Sequence, residues 1–307
     1  MAGSIDVLLS VHNPNQLWLD ELLESIASQT TLPTRLIIRL DGDFPLLWNS
    51  KRMIEKVDVL DNKTHLGFAG SFSTLLDHTK ADFAMFCDQD DVWLENKIQN
   101  LVKVQSNRSQ PTLSFCKFQV INANGKVMNY RQRIPKKFTK FTFLFSNGIP
   151  GNTMMLNQSL VDLFRKSTAM VGVPAWHDWW ALSIAREFGE IIESNSEDMK
   201  YRIHNMNAVG LQVKRLRKIR SLVRSQSSKH WLQQVEMLIE FMGQNDTHQE
   251  QTRFLEQLVL NYSKQRIFRL WFLLKNGVLK SDPVDFLHAI RCYVLANNYE
   301  RDSKNLL

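Results

Sequence analysis

Along the first hundred positions, short apolar runs alternate with amphipathic stretches. Ile5-Asp6-Val7-Leu8-Leu9-Ser10-Val11 is a β-rich run, Asn13-Pro14-Asn15 interrupts it as a turn, and Leu19, Leu22, Leu23 and Ile26 then recur at helical spacing. Arg35 to Leu40 predicts a second strand that ends at Asp41-Gly42-Asp43, and Val57 to Leu60 a short third one before the stretch Asn62 to Gly67. A helix is expected near Ser71 to His78, then a buried strand from Asp82 to Cys87 that stops at Asp88-Gln89-Asp90-Asp91, then a helix from Leu94 to Val104. This alternation predicts an α/β fold with a mostly parallel central sheet, helices on both faces, and ligands bound at the carboxyl ends of the strands.

From Thr112 the pattern changes to a strand, an Asn122-Ala123-Asn124-Gly125 turn and a second strand, an antiparallel excursion. Asn152 to Leu156 returns to the sheet, helices follow at Gln158 to Lys166 and His177 to Phe188, and Met199 to Ile203 is extended. After Gly210 glycine nearly vanishes, and Trp231 to Met242, Thr252 to Tyr262, Ile267 to Lys275 and Pro283 to Ala296 carry helical periodicity. The expected organisation is an α/β domain over 1–210, with halves of about 1–110 and 111–210, and a basic helical C-terminal region over 211–307.

Composition narrows the class. The 307 residues are 44% apolar and 22% charged, the balance of a globular protein, and no window reaches the roughly 18 uninterrupted apolar residues of a membrane span. The first apolar run lacks a basic flank and contains Asp6, so it reads as a strand rather than a signal peptide. Cys87, Cys116 and Cys292 are far apart and without paired spacing, which argues against disulfides and structural zinc. The expected setting is the cytoplasm, with a peripheral position on the inner face of the membrane left open by the charge. The net charge of +7 is concentrated in part at Lys214, Arg215, Arg217, Lys218, Arg220 and Arg224, which suit either an ordinary solvated helix face or an anionic lipid surface.

Three polar clusters can carry chemistry. Asp88, Asp90 and Asp91 follow a buried strand and would repel one another unless solvated or neutralised by a cation. Mg²⁺ or Mn²⁺ fits hard oxygen ligands, and in an extended segment Asp88 and Asp90 point to the same side, while Asp91 can cap the helix after it. Trp176-His177-Asp178-Trp179-Trp180 places a carboxylate among indoles that can form a platform for a sugar ring, and so apolar a setting suits a general base. The alternative is a packed aromatic cluster in which Asp178 caps the helix. In Tyr201-Arg202-Ile203-His204-Asn205-Met206-Asn207, His204 is a candidate metal ligand and Arg202 a candidate phosphate ligand, although a lone histidine is more often structural.

These segments resemble the family 2 glycosyltransferases, inverting enzymes of the GT-A fold, and in particular rhamnosyltransferase-like bacterial members that build surface polysaccharides. The resemblance runs from Ile5 to about Gly210 through Ser10-Val11-His12-Asn13, Leu22 to Gln29, Asp41-Gly42-Asp43, Cys87 to Trp93, Gly151 to Met155, His177 to Trp180 and Tyr201 to Gly210. It implies a nucleotide-sugar half over about 1–110 and an acceptor half over about 111–210. It further implies that His12, Asn13 and Asp41 approach the nucleotide, that Asp88 and Arg202 meet the donor diphosphate, and that Asp88, Asp90 and His204 hold the metal. Asp178 is the implied base, with Trp176, His177, Trp179 and Trp180 toward the acceptor. The family often has Thr-Tyr-Asn where this chain has Val11-His12-Asn13, and Gln where it has Ile203. The implied donor is dTDP-rhamnose or a UDP-hexose, and the acceptor a glycan or lipid-linked hydroxyl.

Two other classes fit the sequence less well. A nucleotidyltransferase would carry a glycine- and lysine-rich phosphate loop, and Ser10 to Gln16 has neither residue. A non-catalytic module that binds nucleic acid or an anionic surface through its basic segment leaves the acids at the strand end without a role, so no nucleic-acid partner is expected.

Overall fold

The computed structural model describes residues 3–45, 54, 56–62, 64–106, 108–130, 132, 134, 141–145, 147–204, 225–244, 248–278 and 289–296. The chain forms two compact units: Met1–Ile134 with Gly148–Leu211, and Pro135–Asn147 with Gln212–Leu307.

The first unit is built on an eight-stranded sheet in the order β3-β2-β1-β4-β7-β6-β8-β5. Its strands are β1 (Ile5–Val11), β2 (Arg35–Asp41), β3 (Val57–Asn62), β4 (Phe83–Asp88), β5 (Val92–Trp93), β6 (Thr112–Asn122), β7 (Met154–Asn157) and β8 (Glu190–Ile203). β3, β2, β1 and β4 are mutually parallel, β7 is antiparallel to both β4 and β6, β6 and β8 are parallel, and β5 is antiparallel to β8. The return strand expected after Asn122-Gly125 is reduced to one bridge, Ile121 to Val127.

The period-two pattern of the strands divides the core between two faces. Val7, Leu9, Val11, Leu36, Ile38, Met85 and Cys87 pack with α1 (Gln16–Ala27) and α3 (Lys97–Gln105) through Leu19, Leu22, Leu23, Ile26, Ile98 and Leu101. The opposite face carries buried Leu8, Ile37, Ala84 and Phe86, with the Phe86 ring edge-on to Phe72 of α2 (Gly67–His78) at 5.2 Å. The helices α4 (Gln158–Val171) and α5 (His177–Phe188) complete the unit. Asn15 and Asn157 start α1 and α4 by accepting backbone amides with their side chains, satisfying donors the first turn leaves open.

Two boundaries differ from expectation for the same reason. The helix expected from Leu94 begins at Lys97, because Val92 and Trp93 pair as a short strand with Lys200 and Met199 of β8. β8 itself begins at Glu190, nine residues before the extended stretch the sequence predicts. Its first half, Glu190 to Glu197, has no apolar alternation and is held by backbone pairing to β6. Long-range pairing leaves no trace in local periodicity.

In the second unit the helices are α6 (Ser225–Gly243), α7 (Gln249–Tyr262) and α8 (Arg266–Lys275), with a π-helical turn at Ile290–Val294. The Pro135–Asn147 segment belongs to this unit although its sequence position lies within 1–210. Its apolar run explains why: Phe141, Phe143, Leu144 and Phe145 are buried, and the Trp231 indole stacks on Phe145 at 5.6 Å and donates to the Leu144 carbonyl at 2.9 Å. The basic positions Lys214, Arg215, Arg217, Lys218, Arg220 and Arg224 lie outside the described residues. Among the described residues, no helix is long and apolar enough to cross a membrane.

Candidate active site

Strand register brings the polar motifs to one edge of the sheet. Ser10 lies opposite both Arg39 and Asp88, so the ends of β1, β2 and β4 place His12 and Asn13, Asp41, and Asp88 side by side. Gln89 locks the loop after β1 to the loop after β4: its Oε1 accepts the His12 amide at 2.7 Å and its Nε2 donates to the His12 carbonyl at 2.9 Å. Asn13 turns the chain in the left-handed region, at φ 42°, a conformation asparagine tolerates better than most residues.

Asp41 is buried and fully engaged. Its carboxylate accepts the Leu66 amide at 2.7 Å, the Arg39 guanidinium at 2.5 Å and His65 Nδ1 at 2.9 Å. Burial works to raise its pKa, but the Leu66 amide and the Arg39 guanidinium outweigh it and hold the carboxyl below its ordinary value. His12 Nδ1 donates to the Asp41 carbonyl at 2.6 Å, and the exposed His12 and His65 rings lie 4.7 Å apart. Among the described residues, His12, Asp41 and His65 form a group of ligating atoms within 4.8 Å of one another. His65 and Arg39 had no role in the sequence reading. The only signal for His65 is its place in the polar stretch Asn62 to Gly67 after the third strand.

The acidic cluster is not extended, which corrects the expected same-side geometry of Asp88 and Asp90. Asp88 ends β4, Gln89 and Asp90 form a turn, and Asp91 follows. Nor is Asp91 a helix cap. It is buried, its Oδ1 accepts the Arg202 amide at 2.9 Å, its Oδ2 accepts Asn152 Nδ2, and α3 starts six residues later. Asp90 Oδ2 meets His204 Nε2 at 2.5 Å, so two of the expected metal ligands stand together, and the Trp18 ring lies 4.6 Å from the His204 ring. Arg202 is buried, donates to the Asp90 carbonyl at 2.8 Å and pairs with Glu21. Its guanidinium therefore holds the turn in place, which corrects its expected role as a phosphate ligand. Lys97, also absent from the sequence reading, is buried over the Trp93 ring and donates to the Asn152 carbonyl at 2.5 Å.

Electrostatics join this cluster to α5. The Asp88 carboxyl is pushed up to about 7, first by burial and then by the negative charges of Asp90 and Asp178. Asp91 is driven well above the usual carboxylate range by burial and by Asp90 and Asp88. Asp178, half-buried in the first turn of α5, thus shares one field with the acids at the end of β4. Such crowding of carboxylates is eased by a divalent cation, and Asp90 and His204, in direct contact, are candidate oxygen and imidazole donors beside the separate group His12, Asp41 and His65.

The aromatic surroundings of Asp178 are mostly core. Trp180 is 0% exposed and its indole donates to Ser167 Oγ at 2.8 Å, while Trp179 is 5% exposed. His177 stacks on Phe72 at 4.0 Å, and burial lowers its pKa to about 3, so it is neutral. These three side chains are core, which corrects their expected contact with an acceptor. Trp176 is half-buried, with its ring 5.4 Å from Trp179.

Gly151 fixes how Asp178 sits. A Cβ at this position would come within 3.0 Å of both the Asp178 Cβ and His177 Nε2. Gly151→Ala is therefore expected to displace Asp178 by a few tenths of an ångström and to lower the thermal midpoint by a few degrees. A thermal melt of the variant would show this, and an unchanged midpoint would mean that the packing beneath Asp178 gives way freely.

The family model for glycosyl transferase family 2 matches residues 6–166. The chain belongs to this family. The chain is 27% identical over 109 residues to the UDP-Glc:alpha-D-GlcNAc-diphosphoundecaprenol beta-1,3-glucosyltransferase WfgD of Escherichia coli, covering 36% of this chain and 42% of that protein. The chain thus spans less than half the length of that relative. It is 25% identical over 219 residues to the dTDP-rhamnosyl transferase RfbG of Shigella flexneri, covering 64% of this chain and 72% of the relative. Among solved structures, S. aureus TarS 1-349 in complex with UDP-GlcNAc superposes with a TM-score of 0.55 at 11% identity, over 94% of this chain and 79% of that one. The complex of the same protein with UDP gives 0.53 at 14% identity, over 94% and 78%. At such identity the likeness is one of fold, and the fold of this family 2 chain is GT-A.

Proposed function

We propose that the chain is an inverting glycosyltransferase of cell-surface polysaccharide synthesis. It moves a sugar from dTDP-rhamnose or a UDP-hexose to a hydroxyl of a glycan or lipid-linked acceptor. The observation that supports this reading is the coupling of Asp88, at the carboxyl end of β4, to the charges of Asp90 and Asp178, with His204 in contact with Asp90. The named donors of the relatives, UDP-Glc and dTDP-rhamnose, support the donor class.

In this reading His12, Asn13 and Asp41 line the nucleoside, and Asp88, Asp90 and His204 hold a Mg²⁺ or Mn²⁺ ion. When bound, the ion supplies charge neutralisation for the departing diphosphate. Arg202 keeps the acidic turn in place through the Asp90 carbonyl, and Lys97 holds the Asn152 carbonyl. Asp178 Oδ accepts the proton of the acceptor hydroxyl while that oxygen attacks the anomeric carbon from the face opposite the diphosphate, which inverts the configuration. Trp176 offers an aromatic face at the rim of the acceptor side.

A thermal-shift panel of dTDP, UDP and their sugars, each with and without Mn²⁺, tests the donor class. A metal-dependent rise with one nucleoside diphosphate is expected, and no rise with any of them would remove the reading.

The raised Asp88 carboxyl gives a pH signature. Its folded pKa of about 7 lies above the ordinary 3.8, so its proton favours the folded state, and that stability is lost as pH rises from about 4 through 7. A cation takes the proton's place. Mn²⁺ is therefore expected to raise the thermal midpoint more at pH 8 than at pH 5.5, with affinity falling up to about tenfold per pH unit below 7. Equal stabilisation at both pH values would show that Asp88 is not part of the metal site.

A further inference from the structure

The helix α8 (Arg266–Lys275) is apolar on two opposite sides. One side is fixed inward by buried Phe272 and Leu273 and by Arg269, whose guanidinium donates to the carbonyls of Tyr293 at 2.9 Å and Ala296 at 3.0 Å and lies over the Tyr262 ring. The other side carries Ile267, Phe268, Trp271 and Leu274, exposed at 65%, 53%, 57% and 41%. Wound at about 100° per residue, these four fall within about 120° of one another and form a single stripe. Helical periodicity alone makes every apolar position of this run a candidate for the core, but a helix has one inward face, and Arg269, Phe272 and Leu273 already fill it.

An outward stripe of Trp, Phe, Ile and Leu is costly in water and marks a surface that is covered in use. Its charges say by what. Lys264 and Arg266 precede the stripe and Lys275 ends it, with the Lys275 ammonium 5.0 Å from the Trp271 ring. No acidic residue occurs between Glu256 and Asp282. Apolar residues flanked by cations, with an indole among them, match the boundary between anionic headgroups and acyl chains. A second copy of the same face would bring like charges together.

We propose that α8 is an interfacial membrane-docking helix that seats Ile267, Phe268, Trp271 and Leu274 in an anionic bilayer, with Lys264, Arg266 and Lys275 on the headgroups. The proposal goes beyond the glycosyltransferase reading and stands on the helix alone. It gives the chain a means of reaching lipid-linked material.

The test is co-sedimentation of the full chain with vesicles of mixed phosphatidylglycerol and phosphatidylethanolamine, against phosphatidylcholine alone. Wild type is expected to bind the anionic vesicles, and Ile267→Gln/Phe268→Gln/Trp271→Gln to lose about tenfold or more in partitioning. The thermal midpoint and nucleoside diphosphate affinity of the variant, measured in parallel, are expected to match wild type, which separates membrane docking from the donor site. Arg266→Gln/Lys275→Gln is expected to lose preference for anionic over zwitterionic vesicles. Absence of wild-type binding, or equal binding by the triple variant, would overturn the proposal. So would reversible self-association of wild type, abolished in the triple variant, without vesicle binding, since a second copy would then cover the stripe.

Discussion

Asp178→Asn is expected to lower sugar transfer by about 10² to 10⁴, equivalent to about 3 to 5 kcal/mol of barrier, while nucleoside diphosphate affinity stays within a few-fold of wild type. The substitution keeps the shape of the side chain and removes only its basicity. The Asp178 Oδ1 accepts the Trp179 amide at 2.7 Å, and an asparagine carbonyl can accept the same bond, so the first turn of α5 is preserved. Asp178 also contributes negative charge to the field that raises Asp88. Its neutralisation therefore eases the carboxylate crowding and leaves no reason for donor binding to weaken. Initial rates of nucleotide release with acceptor present, beside a titration of the nucleotide alone, separate the two effects. Transfer at near wild-type rate would remove Asp178 from the role of base.

Asp90→Ala is expected to act on the other side of the reaction. The Asp90 carboxylate stands 2.5 Å from His204 Nε2, while its carbonyl is held by the Arg202 guanidinium at 2.8 Å. Alanine removes the carboxylate and keeps the backbone contact, so the turn survives and the cation loses a ligand. Nucleoside diphosphate affinity should fall about 100-fold or more, close to 3 kcal/mol, and chelation of wild type should cause a loss of the same size. The two perturbations remove one interaction, so chelation of Asp90→Ala is expected to cause little further loss. Isothermal titration of the four states measures this directly. Full additivity would mean that the metal and Asp90 act at separate places.

The parts of this molecule that were legible in the sequence are those set by local pattern. The strands β1, β2 and β4 follow short apolar runs, and α5 begins at His177 and ends at Phe188, as its periodicity predicts. The same runs place Asp41 and Asp88 at strand ends, where β2 and β4 hold them. Burial and partnership were not legible. Trp180 and Trp176 are indistinguishable as letters, yet one is sealed against Ser167 and the other is half-buried. Arg202 carries the charge of a phosphate ligand, and only the fold reveals that Glu21 and the Asp90 carbonyl engage it. His65 reaches Asp41 across a parallel strand pair, a proximity that depends on β2 and β3 being neighbours. The exposure of α8's second apolar side is likewise a property of packing, since periodicity alone makes Ile267 and Leu273 equal candidates for the core.

The decisive measurement is a crystal structure of the chain with nucleoside diphosphate and Mn²⁺, read through the anomalous signal of manganese. The expected peak lies against Asp90 and His204 with the diphosphate beside it and the nucleoside toward His12 and Asp41. A peak among His12, Asp41 and His65 instead, or a nucleotide bound away from the end of β4, would contradict the assignment of the acidic cluster to the leaving group.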